Sequence, residues 1–134
     1  MNKVKLSVIL MSCVLVACAS LSTKKRMERL DETMKMFEHA LLRSDFMAAT
    51  QYLKDPDAVP ADGQDLNKNV KIVNFKPVRM AVSDDDHQVD RVVEVQFFYT
   101  DRNILKTTIY RQQWRYQDED KRWLLMSGLP EFPQ

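Results

Sequence analysis

The cysteine at position 18 is the side chain in this sequence with the clearest potential for covalent chemistry. It follows Leu15, Val16 and Ala17, so a small residue lies directly before the thiol-bearing residue. Signal proteases read small side chains just before the bond they cut, and a cysteine sulfur is a nucleophile when deprotonated. A small residue directly before a nucleophilic sulfur therefore makes Ala17-Cys18 a candidate site of processing and covalent modification.

The residues before Cys18 predict a targeting segment. Lys3 and Lys5 form a short basic start, and Leu6 to Val16 is an almost unbroken apolar run. A helix that spans a bilayer needs about 20 apolar residues, so this run has the length of a signal-peptide core. Cys13 leaves with the segment. We therefore expect a mature chain with neither a disulfide nor a zinc cluster.

The segment Leu15-Val16-Ala17-Cys18 resembles the lipobox of bacterial lipoproteins. The resemblance implies a signal peptide over residues 1–17 and transfer of a diacylglyceryl group to the sulfur of Cys18. It further implies cleavage between Ala17 and Cys18 and acylation of the new amino terminus, with palmitate as the expected acid. The following residue is Ala19 and not the Asp associated with inner-membrane retention. The resemblance therefore favours a lipid anchor in the outer membrane, facing the periplasm. A plain secretory signal with an incidental cysteine is the alternative.

A run of acidic residues followed by histidine, Asp84-Asp85-Asp86-His87, is a second group with possible chemistry. Oxygen and imidazole ligands could hold a divalent cation. Calcium loops, however, place their ligands at alternate positions and need a glycine for the sharp turn, and this run has neither feature. We therefore interpret the run as a solvated turn, and we expect no metal site and no cofactor.

Five aromatic residues could line a ligand pocket between helices and sheet. They are Tyr52, Tyr99, Tyr110, Trp114 and Trp123. In a domain of this size such side chains more often fill the core, so both interpretations stay open.

A basic stripe on one predicted strand could bind a carboxylate or a phosphate. Arg111, Gln113 and Arg115 alternate with Tyr110, Trp114 and Tyr116, and Arg91 is expected to join the stripe from the neighbouring strand. Pairing across strands with Glu94 or another acid is the alternative.

Helical periodicity defines the first part of the domain that would hold these residues. The predicted domain covers residues 24–134, after a small, polar tether at 18–23. From Lys24 to Arg43, apolar residues recur every three or four positions, which predicts a helix with one apolar stripe. The stripe consists of Met27, Leu30, Met34, Phe37 and Leu41.

A second, shorter helix is predicted at Phe46 to Leu53. Ser44-Asp45 can cap its start, and Pro56 and Pro60 stop helical structure. A polar loop is expected from Asp55 to Lys68.

From Val70 onward the apolar period changes to two, which predicts four strands joined by short turns. The predicted strands are Val70 to Val82, Val89 to Thr100, Ile104 to Gln117, and Lys121 to Ser127. The apolar phase shifts across Pro77, from Val73 and Phe75 to Val78, Met80 and Val82, so a bulge or an edge position is expected there. The fold class is therefore α+β, with an N-terminal helix pair packed on a four-stranded antiparallel meander.

Inward-facing residues are predicted from the same period of two. They are Val93, Val95, Phe97 and Tyr99 on the second strand, and Ile104, Thr108, Tyr110, Trp114 and Tyr116 on the third.

The meander predicts that the first and third turns lie at the same end of the sheet. This end would carry a possible acidic patch formed by Asp84, Asp85, Asp86, Asp118, Glu119 and Asp120. Such a patch could meet a basic partner. Acidic residues that serve turn geometry and solubility are the simpler interpretation.

The order of elements resembles the nuclear-transport-factor-two-like, or SnoaL-like, α+β fold, with a cystatin-like arrangement of one helix on a sheet as the structural alternative. The segment from Ser44 to Ala49 and the closing hairpin with Trp114 and Trp123 carry the resemblance. Enzymes of this fold hold an acid–base dyad inside a cone closed by three helices. Only two helices are predicted here, and neither histidine lies on a cone-facing strand, so no catalytic residue is expected.

The charge balance, 20 Lys and Arg against 19 Asp and Glu, does not suggest a nucleic-acid partner. We expect a membrane-anchored periplasmic lipoprotein that acts as a binding or accessory module of the cell envelope, with an envelope protein as partner. A carrier of a small hydrophobic ligand in a helix–sheet cavity is the first alternative, and a SnoaL-like enzyme is the second.

Overall fold

The computed structural model describes residues 2–58 and 69–133 of the chain. Two helices and a short 3₁₀ turn precede four strands. They are α1 (Asn2–Leu42), α2 (Phe46–Thr50), the turn Pro56–Ala58, β1 (Val70–Val82), β2 (Gln88–Tyr99), β3 (Leu105–Gln117) and β4 (Arg122–Leu125). The strands form one antiparallel sheet in the order β1-β2-β3-β4. The predicted α+β class, a helix pair on a four-stranded meander, is confirmed.

The first helix begins much earlier than the predicted start at Lys24. It runs from Asn2 to Leu42 and includes residues 18–23, which were predicted to form a tether. No glycine or proline interrupts this stretch, and most of its residues have good helix propensity. In the uncleaved chain, the segment around Cys18 is therefore continuous with the helix that packs on the sheet. Among the described residues, no helix has the length and hydrophobicity needed to cross a membrane.

The apolar stripe of α1 packs on one face of the sheet, as predicted. Leu30, Met34, Phe37 and Leu41 are buried, and Met27 packs against the same core. The ring of Phe37 meets Trp114 of β3 edge-on, with ring centroids 5.5 Å apart. This contact joins the helix to the middle of the sheet.

Asp45 caps α2, as predicted: its Oδ1 accepts a hydrogen bond from the backbone N–H of Ala48 at 3.0 Å. The helix ends at Thr50, before the predicted end at Leu53. The following residues pair with β4 instead, since Lys54 N donates to Leu125 O at 2.9 Å and Leu125 N donates to Tyr52 O at 2.7 Å. The predicted loop at 55–68 begins with the 3₁₀ turn, and its residues 59–68, with Pro60, lie outside the described residues.

β1 has the bounds that the sequence predicted and is an edge strand with a register shift beside Pro77. A second shift lies between Ile72 and Asn74. The predicted apolar phase is therefore wrong for Val73, which is exposed, whereas Ile72 is buried in the core.

The predicted inner face of β2 is confirmed, since Val93, Val95, Phe97 and Tyr99 are all buried. On β3 the prediction is wrong for Ile104, which is 57% exposed. The pairing of β2 with β3 ends at Phe98 and Leu105, so Ile104 lies in the turn that contains Asn103 with its φ of 51°.

The C-terminal segment after β4 covers the part of the inner face near the second turn. Leu129 and Phe132 pack against the core, and the ring of Phe132 lies 4.8 Å from that of Phe97. The hydroxyl of Tyr110 donates to Gly128 O at 2.7 Å. This covering tail was not predicted from the sequence, although the apolar Leu129 and Phe132 are the available signal.

Replacing Phe37 by alanine should lower the free energy of unfolding by about 3–5 kcal/mol, because the cavity would lie between α1 and Trp114. Urea denaturation measures the change. Met36→Ala is the matched control: Met36 is 62% exposed on the same helix, so its loss should cost less than about 0.5 kcal/mol. Equal losses in the two variants would contradict the assigned helix face.

Candidate functional site

Cys18 lies close to the end of the sheet that carries the first and third turns. The first described contact between α1 and this end is at Thr23, whose Oγ1 donates to Asp86 Oδ2 at 3.2 Å. One turn further along α1, Arg26 O accepts a hydrogen bond from Trp123 Nε1 at 2.9 Å. An α-helix rises about 1.5 Å per residue, so about 8 Å of helix separates Cys18 from Thr23. The predicted anchor therefore lies at the end of the domain that carries the first and third turns.

The two acidic turns meet at this end, as the meander predicts. His87 joins them: its Nε2 lies 3.0 Å from Oδ1 of Asp118. Its backbone O accepts from Tyr116 N at 2.8 Å. Asp85 is occupied within its own turn, where hydrogen bonds from the Ser83 hydroxyl and the backbone N–H of His87 lower the pKa of its carboxyl. Asp85 and Asp118 therefore stabilise the two turns and their contact with each other.

Two basic side chains of α1, Arg26 and Arg29, lie beside the residues of the predicted acidic patch. Arg29 Nη1 donates to Lys121 O at 3.3 Å, and the guanidinium of Arg26 lies 5.9 Å from the centre of the Tyr116 ring. The patch is therefore part of a surface of mixed charge. Among the described residues, no group of three or more His, Cys, Asp or Glu could hold a metal ion.

Four of the five aromatic residues predicted for a pocket are buried in the core, and Tyr52 is half-buried beside them. Their polar atoms have partners inside the domain. The indole N–H of Trp114 donates to Gln112 Oε1 at 3.0 Å, and the hydroxyl of Tyr99 donates to Pro133 O. Burial raises the pKa of Tyr110 well above its usual range. The structure thus places these residues as packing between sheet, helix and tail, with Tyr110 also beside a surface groove.

The prediction that Arg91 joins the basic outer stripe is wrong. Arg91 is only 8% exposed and faces α1, where its Nη1 lies 2.6 Å from Oε1 of Glu38 and 3.3 Å from Oε1 of Gln112. The register explains this, because Arg91 pairs with Gln112 and shares the phase of the buried Val89 and Val93. That shared phase was visible in the sequence.

Arg91, Gln112 and Glu38 together form a buried polar cluster between sheet and helix. This cluster was not predicted from the sequence. The Nε2 atom of Gln112 is buried and has no hydrogen-bond partner among the described residues. Oε1 of the same amide accepts from both Arg91 and Trp114. Because Glu38 comes from α1, the cluster fixes how the helix lies on the sheet.

The outer face of the sheet carries the rest of the predicted basic stripe. Arg111 and Arg115 are exposed there, and Arg115 Nη2 donates to Gln88 Oε1 at 3.3 Å. Arg79 takes the place expected for Arg91, because Arg79, Val92 and Arg111 lie in one row across three strands. They line a shallow depression of about 530 Å³.

A second groove, of about 600 Å³, lies between β3 and the C-terminal tail. The strand contributes Thr108 to Arg111, and the tail contributes Ser127, Leu129 and the segment 131–133. This groove exists because β4 pairs only with Trp114 to Gln117. This groove has a larger volume than the depression at Arg79 and Arg111.

Comparison of the chain with protein-family models, with curated proteins and with solved structures found no match. The structure itself defines a class, an α+β domain with one sheet covered on one face.

Removing one partner of the Arg91–Glu38 pair should be strongly destabilising, because a buried charge without a partner costs about 3 kcal/mol or more. We expect Arg91→Met to lower the free energy of unfolding by about that amount in urea denaturation. The double variant Arg91→Met/Glu38→Leu should recover most of the loss. If the loss in the double variant instead equals the sum of the losses in Arg91→Met and in Glu38→Leu alone, the two charges do not interact.

The stability that His87 contributes should decrease as the pH rises. Hydrogen bonds to the backbone O of Asp85 and to the Asp118 carboxylate raise the pKa of His87, so the folded state binds the proton more tightly than the unfolded chain. The contribution is complete below the unfolded pKa of about 6.5 and is lost as the pH rises through the higher folded value. Unfolding of wild type and His87→Gln between pH 5.5 and 8.5 measures this difference.

Asp118→Asn should reduce the pH dependence assigned to His87, while Glu119→Gln is the matched control from the same turn. A stability difference between wild type and His87→Gln that grows towards high pH would contradict the assignment.

Proposed function

We propose that this protein is a lipid-anchored envelope lipoprotein that acts by binding a protein partner in the periplasm. The observation that carries the proposal is the arrangement around Cys18: a basic start, a short apolar run and a lipobox-like segment in register. One acyl chain gives marginal membrane affinity, at about 0.8 kcal/mol per buried CH₂, whereas two or more give a stable anchor. Ala19 after the cysteine supports the outer membrane as the site of the anchor.

The geometry of α1 supports a defined orientation for such an anchored domain. The helix continues from Cys18 to the contact at Thr23, so the first and third turns would face the lipid headgroups. The second turn, between Tyr99 and Leu105, lies at the opposite end with the tail segment around Phe132. The groove between β3 and the tail therefore opens on the part of the domain that points away from the membrane.

Surface binding has more support than the two alternatives. The predicted pocket residues Trp114 and Trp123 are buried against helix and sheet, which does not favour a carrier of a hydrophobic ligand. A SnoaL-like enzyme needs an acid–base dyad in a cone, and His87 instead bridges two turns at the surface. Both alternatives remain predictions from the sequence.

Cys18→Ser should abolish lipid attachment and processing, since serine has no thiol to form the thioether. In cells fed an alkyne analogue of palmitate, wild type should be labelled and should migrate as the shorter mature form. The Cys18→Ser protein should be unlabelled and should keep its leader.

Cys13→Ser is the matched control, because Cys13 lies inside the predicted leader and its loss should leave labelling and processing unchanged. A Cys18→Ser protein that is labelled and has the mature size would refute the proposed anchor.

A further inference from the structure

Two arginines flank one valine in a single row on the outer face of the sheet. Arg79 of β1 lies opposite Val92 of β2, and Val92 lies opposite Arg111 of β3. Neighbouring strands are about 4.8 Å apart, so the backbones of the two arginines are separated by about 10 Å. Each arginine side chain is longer than one strand spacing. Both guanidinium groups can therefore reach a ligand that lies above Val92.

The depression at this row has small side chains at its base. Val92 is half-buried between the two arginines, and Ala81 lies in the next row on β1. The volume of about 530 Å³ lies within the range of sites that bind small molecules. The base of the depression can therefore contact the apolar part of a small ligand.

The charged groups of the depression are available to a ligand. Among the described residues, no ion pair involves Arg79, Arg111 or Asp90. Oδ1 of Asp90 accepts a hydrogen bond from Gln113 Nε2 at 3.3 Å, which leaves its second oxygen without a partner in the described part of the chain. Glu94, the other acid of this face, lies in a neighbouring row directly opposite Lys76.

The arrangement of these charges selects the chemistry of the ligand. Guanidinium groups match the geometry of phosphate oxygens, and a phosphomonoester carries a charge of about −1.5 to −2 at pH 7, which complements two arginines. Asp90 lies two residues from Val92 along β2, a distance of about 7 Å. Its carboxylate would repel a second anion and attract an ammonium group. A ligand with a phosphate and an amine on a short carbon linker fits both ends.

We propose that the row of Arg79 and Arg111 binds a small phosphomonoester that carries an amino group. The two arginines hold the phosphate, Asp90 binds the ammonium group, and the carbon linker lies on Val92 and Ala81. This small-molecule site goes beyond the proposed binding of a protein partner. It does not involve Cys18, so its test is independent of the proposed lipid anchor.

Isothermal titration calorimetry of the detergent-solubilised full-length protein tests the site, with O-phosphoethanolamine as the probe. We expect saturable binding at one site with a Kd below about 1 mM. Inorganic phosphate should bind about fivefold more weakly or worse, because it has no amine for Asp90. Absence of saturable binding, or equal affinity for inorganic phosphate, would overturn the proposal.

Glycerophosphoethanolamine, a soluble lipid headgroup, distinguishes a free ligand from a lipid source. It has the same amine, but its phosphodiester carries a single negative charge. It should therefore bind about fivefold more weakly than O-phosphoethanolamine. Equal or tighter binding of this headgroup would contradict the assignment of a phosphomonoester.

Arg79→Gln and Arg111→Gln should each weaken the binding of O-phosphoethanolamine about tenfold, because each removes a charge-assisted donor. Both residues are exposed, so the fold should be retained. Arg115→Gln is the matched control: it removes the same charge from β3, but Arg115 lies opposite Gln88, outside the depression. Its affinity should stay within about twofold of wild type, since salt screens a more distant charge. Equal losses in the three variants, or no loss at Arg79 and Arg111, would contradict the site.

Asp90→Asn tests the contact with the amine. It should weaken the binding of O-phosphoethanolamine about fivefold and should not weaken that of inorganic phosphate, because the lost charge attracts only the ammonium group. Glu94→Gln is the matched control from a neighbouring row, and it should change either affinity by less than about twofold. If Asp90→Asn binds both ligands like wild type, or loses affinity for both equally, the role assigned to Asp90 is wrong.

Discussion

The inner face of the sheet consists of aromatic and β-branched side chains, and α1 must cover it for the domain to be stable. Leu30, Phe37 and Leu41 are at most 1% exposed against this face, and burying each such side chain contributes about 1.5–3 kcal/mol. Glu38 on the same helix satisfies Arg91, the one charged residue of the inner face of β2. The stripe of α1 therefore supplies the apolar cover and the counter-charge together.

The position of α1 determines where the other features of the molecule lie. The helix reaches the first and third turns near Thr23, so the predicted lipid anchor at Cys18 lies beside those turns. The tail covers the part of the inner face that α1 leaves open, near Phe97. Because β4 pairs only with Trp114 to Gln117, the preceding part of β3 borders the tail across a groove that is open to solvent.

Patterns that depend on neighbouring residues could be predicted from the sequence. The bounds of β1 follow from the period of two, the cap at Asp45 follows from its side chain, and the apolar stripe follows from the helical spacing. The contact of the two acidic turns follows from the antiparallel meander, in which the first and third turns lie at the same end of the sheet. The first three signals lie within a few residues of the features that they predict, whereas the contact of the turns depends on the order of the strands.

Features that depend on contacts distant in sequence could not be predicted in the same way. Arg91 is buried because α1 brings Glu38 to it, over a separation of 53 residues. The end of α2 depends on β4, which pairs with residues 52–54. The groove beside β3 is visible only once the short length of β4 is known.

The central claim is that the leader is removed and that Cys18 begins a mature protein held at the membrane by lipid. Mass spectrometry of the N-terminal proteolytic fragment of the native protein, purified from membranes, tests it most directly. The account predicts a fragment that starts at Cys18 and is heavier than its sequence by a diacylglyceryl group and one acyl chain. A fragment that retains Ala17 and the residues before it, or one with an unmodified Cys18, would contradict the account.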